Sequence, residues 1–175
     1  MTTPDIRVHP IRSQDTQVLR HRVLWPHKPS PEACVLPVDD DPGAVHLGAW
    51  KQEKVPWGIR VPGLPGPLVG ACSLFQQHCD RVSVPWQEGD DLRLRVMGTL
   101  PQARGMGAGA ALVRAAAEEA LRQGRSMVWC DAREVAFGFY ERMGFVFLND
   151  MYHIPDIGPH RTMALDVSLA AQSKI

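Results

Sequence analysis

Met97-Gly98-Thr99-Leu100-Pro101-Gln102-Ala103-Arg104-Gly105-Met106-Gly107-Ala108-Gly109-Ala110 is the most informative run in the chain. Before it, Leu92-Arg93-Leu94-Arg95-Val96-Met97 alternates, with the leucines and Val96 on one face of a strand and the arginines on the other. After it, Leu112, Val113, Ala116, Ala117, Ala120 and Leu121 mark the core-facing stripe of a helix over 107–122, which Gly124 caps. The run is therefore a strand, a proline-marked turn and a helix whose first turn is built from small residues. N–H groups at a helix start carry partial positive charge, and absent side chains let a phosphate reach them. Gly105, Gly107 and Gly109 thus predict an anion cradle, with the planar charge of Arg104 beside it. The competing reading gives the glycines to turn geometry and close helix–sheet packing. A Walker loop is excluded, because Gly109-Ala110-Ala111 offers neither the lysine nor the hydroxyl that such a loop needs. A Rossmann fingerprint is excluded by the glycine interval.

Outward from this run, 6–11 reads as an opening strand, and a helix follows from a Ser13 N-cap to about Trp25, where Pro26 stops it. Short strands are expected over 45–50, 68–75, 126–130, 145–148 and 161–167, with a second late helix over 135–143 closed by Gly144. Prolines cluster at Pro26, Pro29, Pro31, Pro37 and Pro42 and again at Pro56, Pro62, Pro65 and Pro67, which predicts ordered loops there. The order β-α-loop-β-β-β-α-β-α-β-β describes a mixed α/β sheet.

With 175 residues the chain is expected to form one domain over 1–175. Its 19 basic residues balance its 19 acidic ones, and it has no Lys/Arg run, which argues against nucleic acid as a partner. No apolar stretch approaches the ~20 residues of a spanning helix, and 1–10 lacks a signal-peptide core, so no membrane partner and a cytoplasmic location are expected. Cys34, Cys72, Cys79 and Cys130 form no C-x-x-C pair, and the seven histidines show no ligand spacing, so no metal is expected.

Arg104-Gly105-Met106-Gly107-Ala108-Gly109 resembles the R/Q-x-x-G-x-G/A signature of the GCN5-related N-acetyltransferases (GNAT), at the start of their third helix. Ala136-Phe137-Gly138-Phe139-Tyr140-Glu141-Arg142-Met143-Gly144-Phe145 is similar to their A-x-x-F-Y-E-K-x-G-F block. About 30 residues and a strand separate the two, and the pair is far more specific than either alone. Ile157-Gly158-Pro159-His160-Arg161-Thr162-Met163 is similar to the I-G-P-H-x-x-M segment of the ElaA-like branch.

The resemblance implies a single-domain, mostly antiparallel sheet with a V-shaped split between strands 4 and 5, flanked by helices, and acetyl-CoA as co-substrate in the split. It implies that Arg104, Gly105, Met106, Gly107, Ala108, Gly109 and Ala110 hold the pyrophosphate through their N–H groups. Met97 and Thr99 would pair with the pantetheine arm, and an N–H near Gly98 would polarise the acetyl carbonyl. Tyr140 matches the family's general acid, since a phenol protonates a departing thiolate more readily than an aliphatic alcohol does. Its alternative is a packed helix-face aromatic. No carboxylate stands on 92–99, where many relatives place a base. His160 is the first candidate for that base and Glu32 a weaker one; a neutral substrate or water would need neither. Arg133 stands where many relatives have a cofactor-contacting Asn and would reach a phosphate instead. The implied partner is a small-molecule or peptide amine, with a homodimer left open. The loops 13–42 and 50–67, which hold Trp25 and Trp57, are expected to shape its pocket. Asp39-Asp40-Asp41 reads either as an attractor for a cationic amine or as a solvated loop. A non-catalytic CoA-binding or sensing protein is the alternative function, and a longer acyl donor the alternative substrate.

Overall fold

The computed structural model describes residues 5–172, in two compact units. Strand β4 (Asp91–Thr99) and helix α2 (Ala108–Arg122) each begin in one unit and end in the other.

The first unit contains β1 (Ile6–Ile11), α1 (Gln17–Val23), β2 (Val45–Lys51), β3 (Leu68–Phe75), the end of β4 and the start of α2. β1, β2 and β3 form an antiparallel meander, Ile6 opposite Lys51 and Val45 opposite Leu74. β3 is buried along its whole length, which is why it reads as a continuous apolar run rather than an alternation. The proline-rich segments on either side of β2 are ordered turns, and an Ile59–Leu68 bridge ties the second of them to β3.

The entry to α1 differs from expectation. Arg12, not Ser13, is the N-cap of a 3-10 turn over Ser13–Thr16, and the carboxylate of Asp15 reaches back to the Arg12 N–H at 3.2 Å. Ser13 is drawn off by Asp40, to which its hydroxyl donates at 2.8 Å.

The second unit contains the start of β4, the end of α2, β5 (Met127–Arg133), α3 (Phe137–Arg142), β6 (Val146–Phe147), β7 (Tyr152–Ile154), β8 (Gly158–Asp166) and α4 (Val167–Gln172). β4 and β5 are parallel; β5–β8, β6–β8 and β7–β8 are antiparallel. A core forms around fully buried Trp129, packed with Cys79 and Ala164 and flanked by Val82, Val84 and Trp86.

Gly124 (φ 71) ends α2 as expected, with Arg125 N–H on Ala120 O and Gly124 N–H on Leu121 O; Gly144 (φ 94) ends α3 in the same way. Leu121, expected in the core, is instead exposed at the edge of the α2 stripe. β8 begins at Gly158, three residues earlier than expected, because the short β7 pairs with it through a turn that places Asp156 at φ 64. α4 was not expected. Asp166 initiates it, its carboxylate accepting from the N–H and hydroxyl of Ser168. No helix among the described residues is long and apolar enough to cross a membrane.

Candidate active site

The β4–β5 ladder is short. It runs from Asp91 opposite Met127 to Arg93 opposite Trp129, and both strands then continue, to Thr99 and to Arg133. Pairing thus stops at Arg93 and Trp129 within the second unit, as the expected split between strands 4 and 5 requires. Beyond it, Val96 sits at φ 47, a left-handed backbone that a β-branched residue rarely adopts. Such a residue interrupts the alternation of peptide directions that a strand needs for pairing. Val96 gives no sequence signal for this irregularity, because valine favours ordinary strand geometry. Gly98 itself has an ordinary φ and is needed for space: a Cβ there would lie 2.9 Å from Val23 Cγ1 of α1. Thr99 and Gly98 run beside β3, close to Gly70, and Leu100 N–H donates to Val69 O at 2.8 Å.

The turn into α2 lies in the first unit. Arg104 and Met106 spend their N–H groups on Pro101 O and Ala103 O. The first helical bond runs from Ala111 N–H to Gly107 O at 2.9 Å. Among the described residues, the N–H groups of Gly105, Gly107, Ala108, Gly109 and Ala110 have no bond to another backbone group, as the start of a helix requires. Gly105 (φ 79) and Gly107 (φ 86) need glycine for backbone reasons, and a Cβ built on either meets nothing within 4 Å. The turn is thus an open stretch of backbone lined by donors. A diphosphate fits it, since 15-residue α2 adds its dipole and exposed Arg104 a full charge.

Tyr140, Arg133 and His160 belong to the second unit. Tyr140 is 7% exposed, set edge-on against Phe139 (5.2 Å) and Phe145 (5.0 Å), and hydrogen-bonded to the Cys130 thiol. Cys130 is the first β5 residue past the ladder's end, so α3 delivers the phenol to the point where β5 parts from β4. Burial and the nearby Asp131 charge raise the pKa of the Cys130 thiol despite the Tyr140 bond, which makes it an inert neighbour. Arg133 is exposed at the end of β5, opposite His160 in register. His160 lies in strand β8, and its Nδ1 meets Gly158 O at 2.8 Å; a carbonyl only accepts, so Nδ1 donates and Nε2 is left as the outward nitrogen.

Cys130 pairs with Met163 and Arg133 with His160, an offset of three residues, so Tyr140 and His160 address opposite faces of the β5–β8 ladder. On the His160 face the ring of Tyr152 stacks at 6.2 Å, and its hydroxyl donates to Asp131. Asp131 also accepts from Arg81 (3.1 and 2.9 Å) and Arg93 (2.6 Å). Burial opposes its charge, but the hydrogen bonds from Arg81 and Tyr152 and the two cations prevail and hold it below the ordinary carboxylate range. The sequence reading missed this cluster, because its partners join four separate segments; a lone Asp inside an apolar strand was the available signal.

Within the acidic run Asp40 and Asp41 are exposed, and Asp39 departs from both readings. Asp39 is buried, bound by both terminal nitrogens of fully buried Arg20 at 2.6 and 2.8 Å and by Leu36 N–H. Ser73 links Arg20 to His46, whose Nε2 donates to Asp39 O. Glu32 lies in a 3-10 turn, its carboxyl held low by its own backbone N–H and by Ser30.

The model of the acetyltransferase (GNAT) family matches residues 13–145. The chain is 32% identical over 158 residues to the uncharacterized N-acetyltransferase YitI of Bacillus subtilis (strain 168), covering 90% of this chain and 94% of that one. Among solved structures, Arabidopsis thaliana NAA60 in complex with acetyl-CoA has a TM-score of 0.65 at 18% identity, over 93% of this chain and 99% of that one. Escherichia coli ElaA has a TM-score of 0.61 at 16% identity, over 92% and 99%. These two likenesses speak for the fold. With a family model spanning both signatures and a relative aligned along nearly its whole length, the chain belongs to the acetyltransferase (GNAT) family.

Proposed function

We propose that the chain transfers an acetyl group from acetyl-CoA to the amine of a small molecule or peptide by direct attack within a ternary complex. The observation that carries this reading is the open, donor-lined turn at Gly105 and 107–110, ahead of the first bond of a long helix. In this reading those N–H groups, with Arg104, hold the diphosphate, and Arg133 reaches a further phosphate. The backbone of Met97 and Thr99 pairs with the pantetheine arm. The irregular backbone from Val96 to Gly98 supplies an N–H to the carbonyl oxygen as negative charge develops there. That NAA60 was solved with acetyl-CoA supports the choice of donor.

Acetyl transfer forms a C–N bond, breaks a C–S bond and moves one proton from nitrogen to solvent and another onto sulfur. Tyr140 supplies the proton to sulfur from its face of β5. His160, through its outward Nε2, takes the amine proton on the other face. Separate faces suit these roles, because the acceptor and the leaving thiolate occupy different sides of the reacting carbon.

Tyr140→Phe removes the hydroxyl and little else. It is expected to lower kcat about 100-fold while acetyl-CoA still raises the melting temperature. Turnover within about twofold of the parent would remove Tyr140 from the mechanism.

A further inference from the structure

β8 lies between β5 and β7, and His160 is paired on both edges, with Arg133 of β5 and with Tyr152 of β7. Directly opposite residues share a face, so Tyr152 and His160 are neighbours, their rings stacked at 6.2 Å. The tyrosine then crosses over β8 to the far strand. Its hydroxyl accepts from Thr162 Oγ1 at 3.3 Å and donates to Asp131 of β5. Thr162 Oγ1 in turn accepts from Asn149 Nδ2 at 2.9 Å, so the donors run one way, from Asn149 to Asp131. Arg81 lies over the Tyr152 ring at 5.7 Å and holds the same carboxylate.

The Tyr152 hydroxyl is thus committed. Burial and the bond to Asp131 push its pKa up, which removes it as a proton donor to a substrate. What it offers instead is a tie. β7 has three residues, of which only Tyr152 and Ile154 are half-buried, too little to hold a strand by itself. Yet β7 sets the carbonyl that orients His160. Gly158 pairs with Ile154 across a turn that holds Asp156 at φ 64, and Gly158 O accepts from His160 Nδ1 at 2.8 Å. The partner of one ring nitrogen decides which nitrogen faces outward. The Tyr152–Asp131 bond therefore anchors to β5 the hairpin that aims the imidazole.

We propose that Tyr152 is a positioning residue for acetyl transfer, fixing the β7–β8 hairpin through Asp131 so that His160 presents Nε2 to the acceptor amine. This rests on the acyl-transfer reading above, in which His160 takes the amine proton. The test is a double-mutant cycle, read as thiol release from acetyl-CoA with an acceptor drawn from a panel of primary amines. Tyr152→Phe keeps the ring and cuts the tie. It is expected to lower kcat about tenfold, with the KM for acetyl-CoA within about twofold of the parent. Tyr152→Leu, which also removes the stacked ring, is expected to lower kcat further. In a His160→Gln background, Tyr152→Phe is expected to change kcat by less than about twofold, because the residue it acts through is gone. Parental turnover in Tyr152→Phe beside a slow His160→Gln would overturn the proposal and leave the base in place. So would an equal loss in both backgrounds, or a Tyr152→Phe chain that does not fold, since either gives Tyr152 a general structural role. Parental turnover in His160→Gln would instead remove His160 from the mechanism, and the proposal with it. Should no amine be acetylated, nitrogen NMR of His160 at alkaline pH decides. One tautomer, protonated at Nδ1, is expected in the parent and a tautomer average in Tyr152→Phe. That change without turnover keeps the hairpin's hold on His160 and sinks the acyl-transfer reading. The same signals in both chains would overturn the proposal.

Discussion

Val96 adopts a backbone against its own preference. A left-handed backbone costs an L-residue about 1–2 kcal/mol, and valine at φ 47 makes no use of the exception that glycine offers. Val96→Gly removes that strain but adds backbone entropy to the unfolded chain, about 0.5–1 kcal/mol, and gives up a half-buried side chain. The variant is expected to stay within about 1 kcal/mol of the parent in urea denaturation, whereas Val128→Gly, in the paired and buried part of β5, is expected to lose several times as much. A loss of more than about 2 kcal/mol at Val96 would mean that the strain is not there. Single residues were also where the sequence was least legible. Val96 sits inside a clean alternation, and Asp39 looks like part of a solvated acidic run until Arg20, 19 positions earlier, is placed against it. Tyr140 stands out in the sequence because its neighbours form a recognisable block, and His160 because its segment does; that they address opposite faces depends on a strand register that no local pattern reveals.

At the scale of elements, α2 is the best-determined piece. Its apolar stripe and Gly124 cap were both readable, and the Schellman bonds at its end follow from them. β7 and α4 were not readable, since three strand residues or one turn and a half of helix present too little periodicity. The start of α2 gives the sharpest prediction. Gly107→Ala puts a methyl group on a backbone at φ 86, with nothing else within 4 Å, so it costs roughly 1 kcal/mol in strain. If a diphosphate shares that space, the KM for acetyl-CoA rises about tenfold or more while kcat at saturation falls much less. An unchanged KM would leave the glycine with a purely conformational role.

For the whole molecule, two carboxylates govern the acid limit. Asp39 and Asp131 are buried, which raises their pKa, yet the hydrogen bonds from Arg20 and from Arg81 and Tyr152 outweigh burial and leave both lowered. A lowered folded pKa gives stability that is complete above the unfolded value of about 3.9 and is lost as pH falls through the folded values. Urea midpoints are therefore expected to be flat from pH 7 to about 5 and to drop below about 4. Asp39→Asn, which breaks the buried pair with Arg20, should cost about 3–5 kcal/mol at pH 7, with the gap to the parent narrowing toward pH 3. A gap that stays constant would mean that the pair contributes no charge-dependent stability.

The proposed function depends most on what the first turn of α2 holds. A crystal structure with coenzyme A addresses that directly. Diphosphate oxygens are expected about 3 Å from the N–H groups of Gly107, Ala108, Gly109 and Ala110, with the pantetheine arm along Met97 and Thr99. Coenzyme A bound elsewhere, with that turn facing only water, would contradict the account.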